Sequence, residues 1–285
     1  MTFNAVKTAL LLGLLSAVLV IGGGALGGRN GLYMGLAMAA VMNFSSYFFS
    51  EKIALMSYHA LPASETQNPE VYHRVAPIVR NLCQRMGLPM PKLWIISEDS
   101  PNAFATGRNP QHASVAFTTG ILRLMDDREI EGVVAHELGH VLHRDILISS
   151  VAATLAAAIT MLAHMAQWAM IFGRGRSDDD ERGGGLGAIV MILLAPLAAA
   201  LIQMAISRSR EYDADAASAK YTGTPYELIS GLQKLETYSQ RIPMEATPST
   251  AHLFIIKPKL GLGLGNLFST HPPTQERIRR LQAMR

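Results

Sequence analysis

The segment His136-Glu137-Leu138-Gly139-His140 places two imidazoles four residues apart, with a carboxylate between them. Residues i and i+4 of an α-helix share one face, so His136 and His140 can each present a ring nitrogen to one metal ion. Zinc binds such nitrogens at about 2.0–2.1 Å. Glu137 is placed to take a proton from a zinc-bound water, whose pKa the metal lowers to about 7. The pattern therefore predicts a hydrolytic zinc site.

The residues before this segment predict the start of a helix. Asp126 is a favourable N-cap, and Glu129, three positions later, completes a capping box. Apolar residues then recur at the spacing of a helix buried in a domain core; they are Ile130, Val133, Val134, Leu138, Val141 and Leu142. The alternative is a chance match on a polar helix, and this context disfavours it.

A hydrolytic zinc site uses three protein ligands and keeps a fourth position for water, so one more ligand must come from elsewhere. The best candidate is Glu211, in the polar opening of an alanine-rich helix over residues 207–217. Asp215 lies one turn later, where it can accept the second N–H of a ligand histidine. The alternative is an ordinary acidic helix start. We expect His136, His140 and Glu211 to bind one zinc ion per chain, with Asp215 behind them.

The composition indicates a membrane protein. Hydrophobic residues make up 49% of the 285 residues and charged residues 16%, and the mean hydropathy is +0.20. A helix needs about 20 apolar residues to cross about 30 Å of hydrocarbon. Four apolar segments are candidates: residues 9–28, 31–49, 146–172 and 188–206.

Two of these segments have alternative interpretations. The first resembles a cleaved signal peptide, but the second apolar segment follows at once, which favours a retained hairpin. The third could be a long buried helix, because His164 and Gln167 interrupt it. Membrane helices tolerate such residues where they face a neighbouring helix, so we expect four crossings.

The zinc ligands constrain the topology. His136 and His140 must lie on the same side of the membrane as Glu211, and the two apolar segments between them satisfy this requirement. Lysine and arginine concentrate on the cytoplasmic flanks of membrane segments. Basic residues flank the segment ends on the catalytic side and favour a cytoplasmic catalytic domain; they are Lys7, Lys52, Arg144, Arg208 and Arg210.

Cysteine and charge narrow the functional class. Cys83 is the only cysteine, so no intramolecular disulfide can form, which fits a reducing compartment. The net charge of +3 is scattered along the chain, and membrane flanks explain it better than nucleic-acid binding does.

The order of the elements predicts an α+β fold that is mainly helical, with a zincin-type catalytic domain split by the second membrane hairpin. Short β-rich runs at 92–97 and 112–120 precede the metal helix. A strand edge in such a sheet can bind an extended peptide through main-chain hydrogen bonds. The expected divisions are a first membrane hairpin, a first catalytic half, a second membrane hairpin and a second catalytic half, at residues 1–52, 53–145, 146–207 and 208–285.

Four features, in this order, resemble the HtpX family of membrane-bound zinc metalloproteases, gluzincins related to the eukaryotic CaaX-processing protease. They are the N-terminal apolar hairpin, Asn102-Ala103-Phe104-Ala105-Thr106-Gly107, the histidine motif with Glu211 and Asp215 far downstream, and His271-Pro272-Pro273-Thr274-Gln275-Glu276-Arg277. The resemblance covers essentially the whole chain. It implies a stress-induced endopeptidase of the bacterial inner membrane that cleaves unfolded, damaged or misassembled membrane proteins.

The resemblance also suggests roles for four further residues. Asn102 and Phe104 would lie by the substrate cleft, although a turn followed by an ordinary core strand explains them equally well. His271 and Arg277 would donate hydrogen bonds to the oxyanion or to a substrate carbonyl. The alternative is that Pro272 and the proline after it only start the last helix, with Arg277 on its solvated face.

Two other functions remain possible. An intramembrane protease would carry the motif inside a membrane helix, but Asp126 and Arg144 flank it here. A catalytically silent, zinc-stabilised membrane scaffold or chaperone is the third interpretation. A structural zinc site does not require Glu137, so the presence of that residue favours the peptidase.

Overall fold

The computed structural model describes residues 2–149, 151, 208–241, 255 and 272–284. Most of the third predicted crossing and all of the fourth therefore lie outside the described residues, as does His271. The described part is mainly helical with one small sheet, as the α+β prediction requires.

Helix α1 (Thr2–Ser57) forms the N-terminal hairpin, because its backbone breaks at Gly27 and Gly28. Gly28 has a φ of 56°, a left-handed conformation that glycine adopts readily. The two arms, Val6–Gly24 and Gly27–Ser57, are each long and apolar enough to cross a membrane. The second arm continues past the predicted end at residue 49, because its last turns pack on the sheet.

Small and polar residues hold the two arms of α1 together. The backbones of Gly23 and Gly31 are in direct contact, which only small residues permit. Asn43 in the second arm donates to Ser16 Oγ of the first at 2.8 Å.

The sheet contains four strands: β1 (Leu61–Pro62), β2 (Lys92–Ile96), β3 (Ala103–Asn109) and β4 (His112–Thr118), in the order β1-β2-β4-β3. Strands β2 and β4 are parallel, and β3 returns antiparallel to β4. The second predicted β-rich run ends two residues early, because the Thr118 side chain caps α3 (Thr119–Leu124). Strand β3 is an edge strand of this sheet.

Five longer helices complete the described part of the domain: α2 (Pro69–Met86), α4 (Asp127–His143), α5 (Arg208–Thr222), α6 (Tyr226–Arg241) and α7 (Thr274–Gln282). The predicted capping box is present, since the Asp126 side chain accepts from two backbone amides and Glu129 Oε2 accepts from Asp126 N at 3.0 Å. The predicted apolar face of α4 is buried, except that Leu142 is only half-buried.

Glycines on α4 allow its neighbours to approach closely. Gly132 faces α6, and its carbonyl accepts a 2.8 Å hydrogen bond from Ser218 of α5. Glu129 lies one turn earlier and accepts from Ser230 and Lys234 of α6 at 2.6 Å each. Helix α4 is therefore fixed against both α5 and α6.

Gly132→Ala is expected to destabilise the domain by about 1–3 kcal/mol, because overpacking here would displace backbone. An added Cβ would lie 2.6 Å from Leu228 N and 2.9 Å from Glu227 C. Thermal unfolding of the detergent-solubilised chain measures the loss. Gly231→Ala is the matched control, because its Cβ would lie 3.3 Å from the end of the flexible Met125 side chain. Equal losses in the two variants would contradict this packing.

Candidate metal centre

Three side chains from two helices converge on one point. Helix α4 supplies His136 and His140, α5 supplies Glu211, and their ligand atoms all lie within 4.8 Å of one another. Glu211 Oε2 is 3.7 Å from His136 Nε2, and Glu211 Oε1 is 3.6 Å from His140 Nε2. These three residues are the predicted ligand set.

The geometry of this cluster fits a tetrahedral metal ion. Ligand atoms about 2.0–2.1 Å from a tetrahedral zinc lie roughly 3.4 Å from each other. The two carboxylate-to-imidazole separations, each to a different oxygen of Glu211, are near this value and longer than good hydrogen bonds. The two imidazole planes are inclined at 89°, so the rings approach the shared point from different directions. Two imidazole nitrogens and a carboxylate oxygen are donors that suit zinc.

Asp215 fixes the orientation of the first histidine. His136 Nδ1 lies 2.9 Å from Asp215 Oδ1, and both side chains are 1% exposed. Burial alone would raise the pKa of Asp215, but the positive charge of Arg277 and the hydrogen bonds from Arg277 and His136 lower it to about 2. The ionised carboxylate keeps the His136 proton on Nδ1, which leaves Nε2 to face the metal. This is the arrangement expected from the Glu211 and Asp215 spacing.

Asp145 gives His140 a similar partner, which the sequence analysis missed. Arg144 ends α4 in a left-handed conformation and turns the chain back, so that Asp145 Oδ2 lies 3.5 Å from His140 Nδ1. Burial lowers the pKa of His140, but Asp145 and the nearby Glu211 and Glu137 outweigh it and raise the pKa to about 9. The centre thus attracts positive charge. The sequence did offer one indication of this contact, namely a carboxylate two residues after the end of α4.

Glu137 lies beside the ligands without joining them. Its Oε2 accepts a 2.9 Å hydrogen bond from Ala105 N on β3, and the residue is 6% exposed. Successive residues of a strand point their main-chain groups to opposite sides. The main-chain N–H and C=O groups of Ala103 and Ala105 therefore point to the outer edge of β3. Those of Phe104 point towards β4. The strand near Asn102 thus lies next to the catalytic candidate.

The two predicted substrate-binding side chains contact the protein's own chain. Asn102 Oδ1 accepts a 3.2 Å hydrogen bond from Ile255 N. Phe104 is 2% exposed, and its ring packs 5.5 Å from that of Tyr58. The described residues thus place both side chains away from solvent.

Arg277 is buried rather than solvated, so the alternative that placed it on an exposed helix face is wrong. It is 1% exposed, and its Nε and Nη2 donate to Asp215 at 2.9 and 2.6 Å. Its Nη1 donates to the carbonyl of Ile255 at 2.9 Å. Arg277 thus lies behind the metal ligands, while His271 lies outside the described residues.

The fold and the site define a membrane-associated metallopeptidase. The chain belongs to peptidase family M48, which matches residues 69–285. It is 54% identical over 280 residues to a protease HtpX homolog of Desulforapulum autotrophicum, covering 98% of this chain and 89% of that one. It is 53% identical over 281 residues to a protease HtpX homolog of Syntrophobacter fumaroxidans, covering 98% of both. These relatives confirm the HtpX resemblance.

The fold resembles that of a protein of known structure. The Ste24p structure from S. mikatae has a TM-score of 0.53 at 17% identity. The match covers 98% of this chain and 64% of Ste24p. At this identity the likeness concerns the fold alone.

Asp215→Asn is expected to weaken zinc binding by about 10- to 100-fold, because the partner of His136 would no longer be an ionised acceptor. Competition with a chromophoric chelator measures the affinity of the full-length protein. Asp213→Asn removes the same charge from an exposed position on the same helix and is expected to leave the affinity unchanged. Equal affinities for the two variants would contradict the role of Asp215.

Proposed function

We propose that this protein is a zinc-dependent endopeptidase that cleaves unfolded, damaged or misassembled membrane proteins from the cytoplasmic side of the bacterial inner membrane. One observation carries the proposal: His136, His140 and Glu211 converge, while Glu137, the residue after His136 on the same helix, stays outside the ligand set and accepts from Ala105 N. The M48 family and the HtpX relatives support it independently.

Each residue of the centre has a distinct task in this proposal. His136, His140 and Glu211 hold the zinc ion, which when bound polarises water and the scissile carbonyl as a Lewis acid. Glu137 accepts the proton of the attacking water and passes it to the leaving amine. The Ala105 amide holds one oxygen of the Glu137 carboxylate, which fixes the orientation of the other.

Arg277 acts, in our proposal, as a positioning residue rather than as the oxyanion donor expected from the sequence. Three of its nitrogens already donate, to Asp215 and to the Ile255 carbonyl. Through Asp215 it holds His136. His271 stays a proposed donor to the oxyanion or to a substrate carbonyl.

The edge of β3 is the proposed site for an extended substrate. Ala103 and Ala105 direct main-chain groups outward, next to Glu137. Pairing with a strand edge uses only main-chain groups of the bound peptide, which suits a peptidase that must accept many unfolded sequences. This proposal retains the cleft position expected for Asn102–Thr106 but assigns binding to the backbone.

The proposed topology has four crossings and a catalytic domain split at residues 146–207. Two arms of α1 are long and apolar enough to cross the membrane. Helices α4 and α5 meet at the metal centre, so the chain between them must return to the side from which it left. The two apolar segments in that interval supply the even number of crossings, and the flanking lysines and arginines favour the cytoplasm.

Glu137→Gln is expected to reduce peptide hydrolysis by about 10²–10⁴-fold while zinc binding is retained, because only the proton acceptor is lost. The test is self-cleavage and casein hydrolysis by detergent-solubilised protein that was purified with chelator, before and after zinc is added. Glu131→Gln, on the same helix, is the matched control and should cleave normally. If wild-type protein binds one zinc but cuts neither casein nor a membrane-protein substrate, the scaffold function replaces the peptidase.

A further inference from the structure

The last turns of α1 place one face of the helix against the sheet. Phe48, Glu51 and Leu55 recur at intervals of three and four residues, and Tyr58, the first residue after the helix ends, follows three residues later. Residues at this spacing share one side of a helix. All four contact residues of the β-sheet, so this face, defined by Phe48, Glu51, Leu55 and Tyr58, is a docking face.

Polar contacts form the middle of the docking face. Glu51 Oε1 accepts from Ser114 Oγ at 2.8 Å and from Lys92 Nζ at 3.1 Å. Ser114 also accepts from Trp94 Nε1 at 3.0 Å. These bonds tie α1 to β2 and β4, the two central strands.

Two contacts reach the edge strand β3 itself. Near its end, the Arg108 guanidinium lies 5.4 Å from the centre of the Phe48 ring. Near its start, Phe104 packs in a buried cluster with Leu55, against the Tyr58 ring. Strand β3 is thus held by α1 at both ends of the segment that faces the metal centre.

The two sides of β3 face two different parts of the molecule. Phe104 contacts the docking face, and the next residue, Ala105, donates its amide to Glu137. Within the described sheet, β3 pairs with a strand on one side only. Pairing with β4 and packing of Ala103 in the main core fix one side of the strand, and the contacts of Phe104 with α1 fix the other.

We propose that Phe104 is a positioning residue through which the membrane helix α1 holds β3 against Glu137. The role rests on the proposed peptidase function. Loss of the Phe104 ring frees β3 to shift, which displaces both the Ala105 amide and the strand edge that pairs with substrate. The zinc ligands sit on α4 and α5 and stay in place.

The test compares Phe104→Ala with Ile96→Ala, which removes a side chain from the same buried cluster but on β2. Kinetics with a quenched fluorescent peptide and zinc affinity are measured on the full-length protein in detergent. We expect Phe104→Ala to lower kcat/KM by about 10- to 100-fold, through a higher KM and a lower kcat, with zinc affinity unchanged, because the substrate and the Glu137 carboxylate are both slightly misplaced. Phe104→Leu should restore most of the loss, and Ile96→Ala should stay near the wild type.

Glu51→Ala provides a second variant that leaves the buried cluster intact. It removes the bonds to Ser114 and Lys92, so it should raise KM in the same direction as Phe104→Ala. Equal kinetic losses in Phe104→Ala and Ile96→Ala, or an unchanged KM in both Phe104→Ala and Glu51→Ala, would overturn the proposal.

Hydrogen–deuterium exchange separates this proposal from the proposed function. Faster exchange of the β3 amides in Phe104→Ala, but not in Ile96→Ala, is expected whether or not the chain cleaves peptides. If the wild-type protein shows no hydrolysis, the peptidase function fails, and the exchange alone decides whether α1 holds β3. Unchanged β3 exchange in Phe104→Ala would overturn the proposal.

Discussion

The close contact between α4 and α5 is the constraint on which the metal centre depends. Gly139 makes it possible, since a Cβ at this position would lie 3.1 Å from Ala214 Cα and 3.2 Å from Ala217 Cβ. Ala214 is three residues after Glu211 on α5. The contact therefore sets the position along α4 at which the Glu211 carboxylate faces the two histidines. A larger residue at Gly139 would separate the helices and with them the ligands. The distances between the three ligand side chains are therefore set by how closely α4 and α5 pack.

Paired charges support this contact from behind. Asp215 and Arg277 are both 1% exposed, and each would be costly to bury without the other. Their two hydrogen bonds join α5 to α7, and Asp215 extends the chain of contacts to His136 on α4. Arg277 also holds the carbonyl of Ile255. One ion pair thus links the last helix to a metal ligand.

Local patterns in the sequence predict α4 and most residues of the metal centre. Contacts between residues far apart in the chain became evident only from the structure. The capping box at Asp126 and the i, i+4 spacing of the histidines follow from helix geometry alone. The same rule predicts Asp215 behind Glu211. The partners of Arg277 lie 62 and 22 residues away, so no local pattern indicates that it is buried. Strand β3 escaped a firm prediction because its alanines and Gly107 have low strand propensity.

The identity of the third ligand decides whether the metal centre forms as described, because Glu211 is the ligand that α5 adds to the two histidines of α4. Zinc K-edge X-ray absorption of the full-length protein should show only nitrogen and oxygen neighbours at about 2.0–2.1 Å. In Glu211→His, whose side chain reaches about as far as glutamate, the signal of zinc-bound imidazole should grow from two rings to three. A spectrum of Glu211→His that matches the wild type, with two imidazoles, would show that residue 211 does not bind the zinc ion and would contradict the proposed centre.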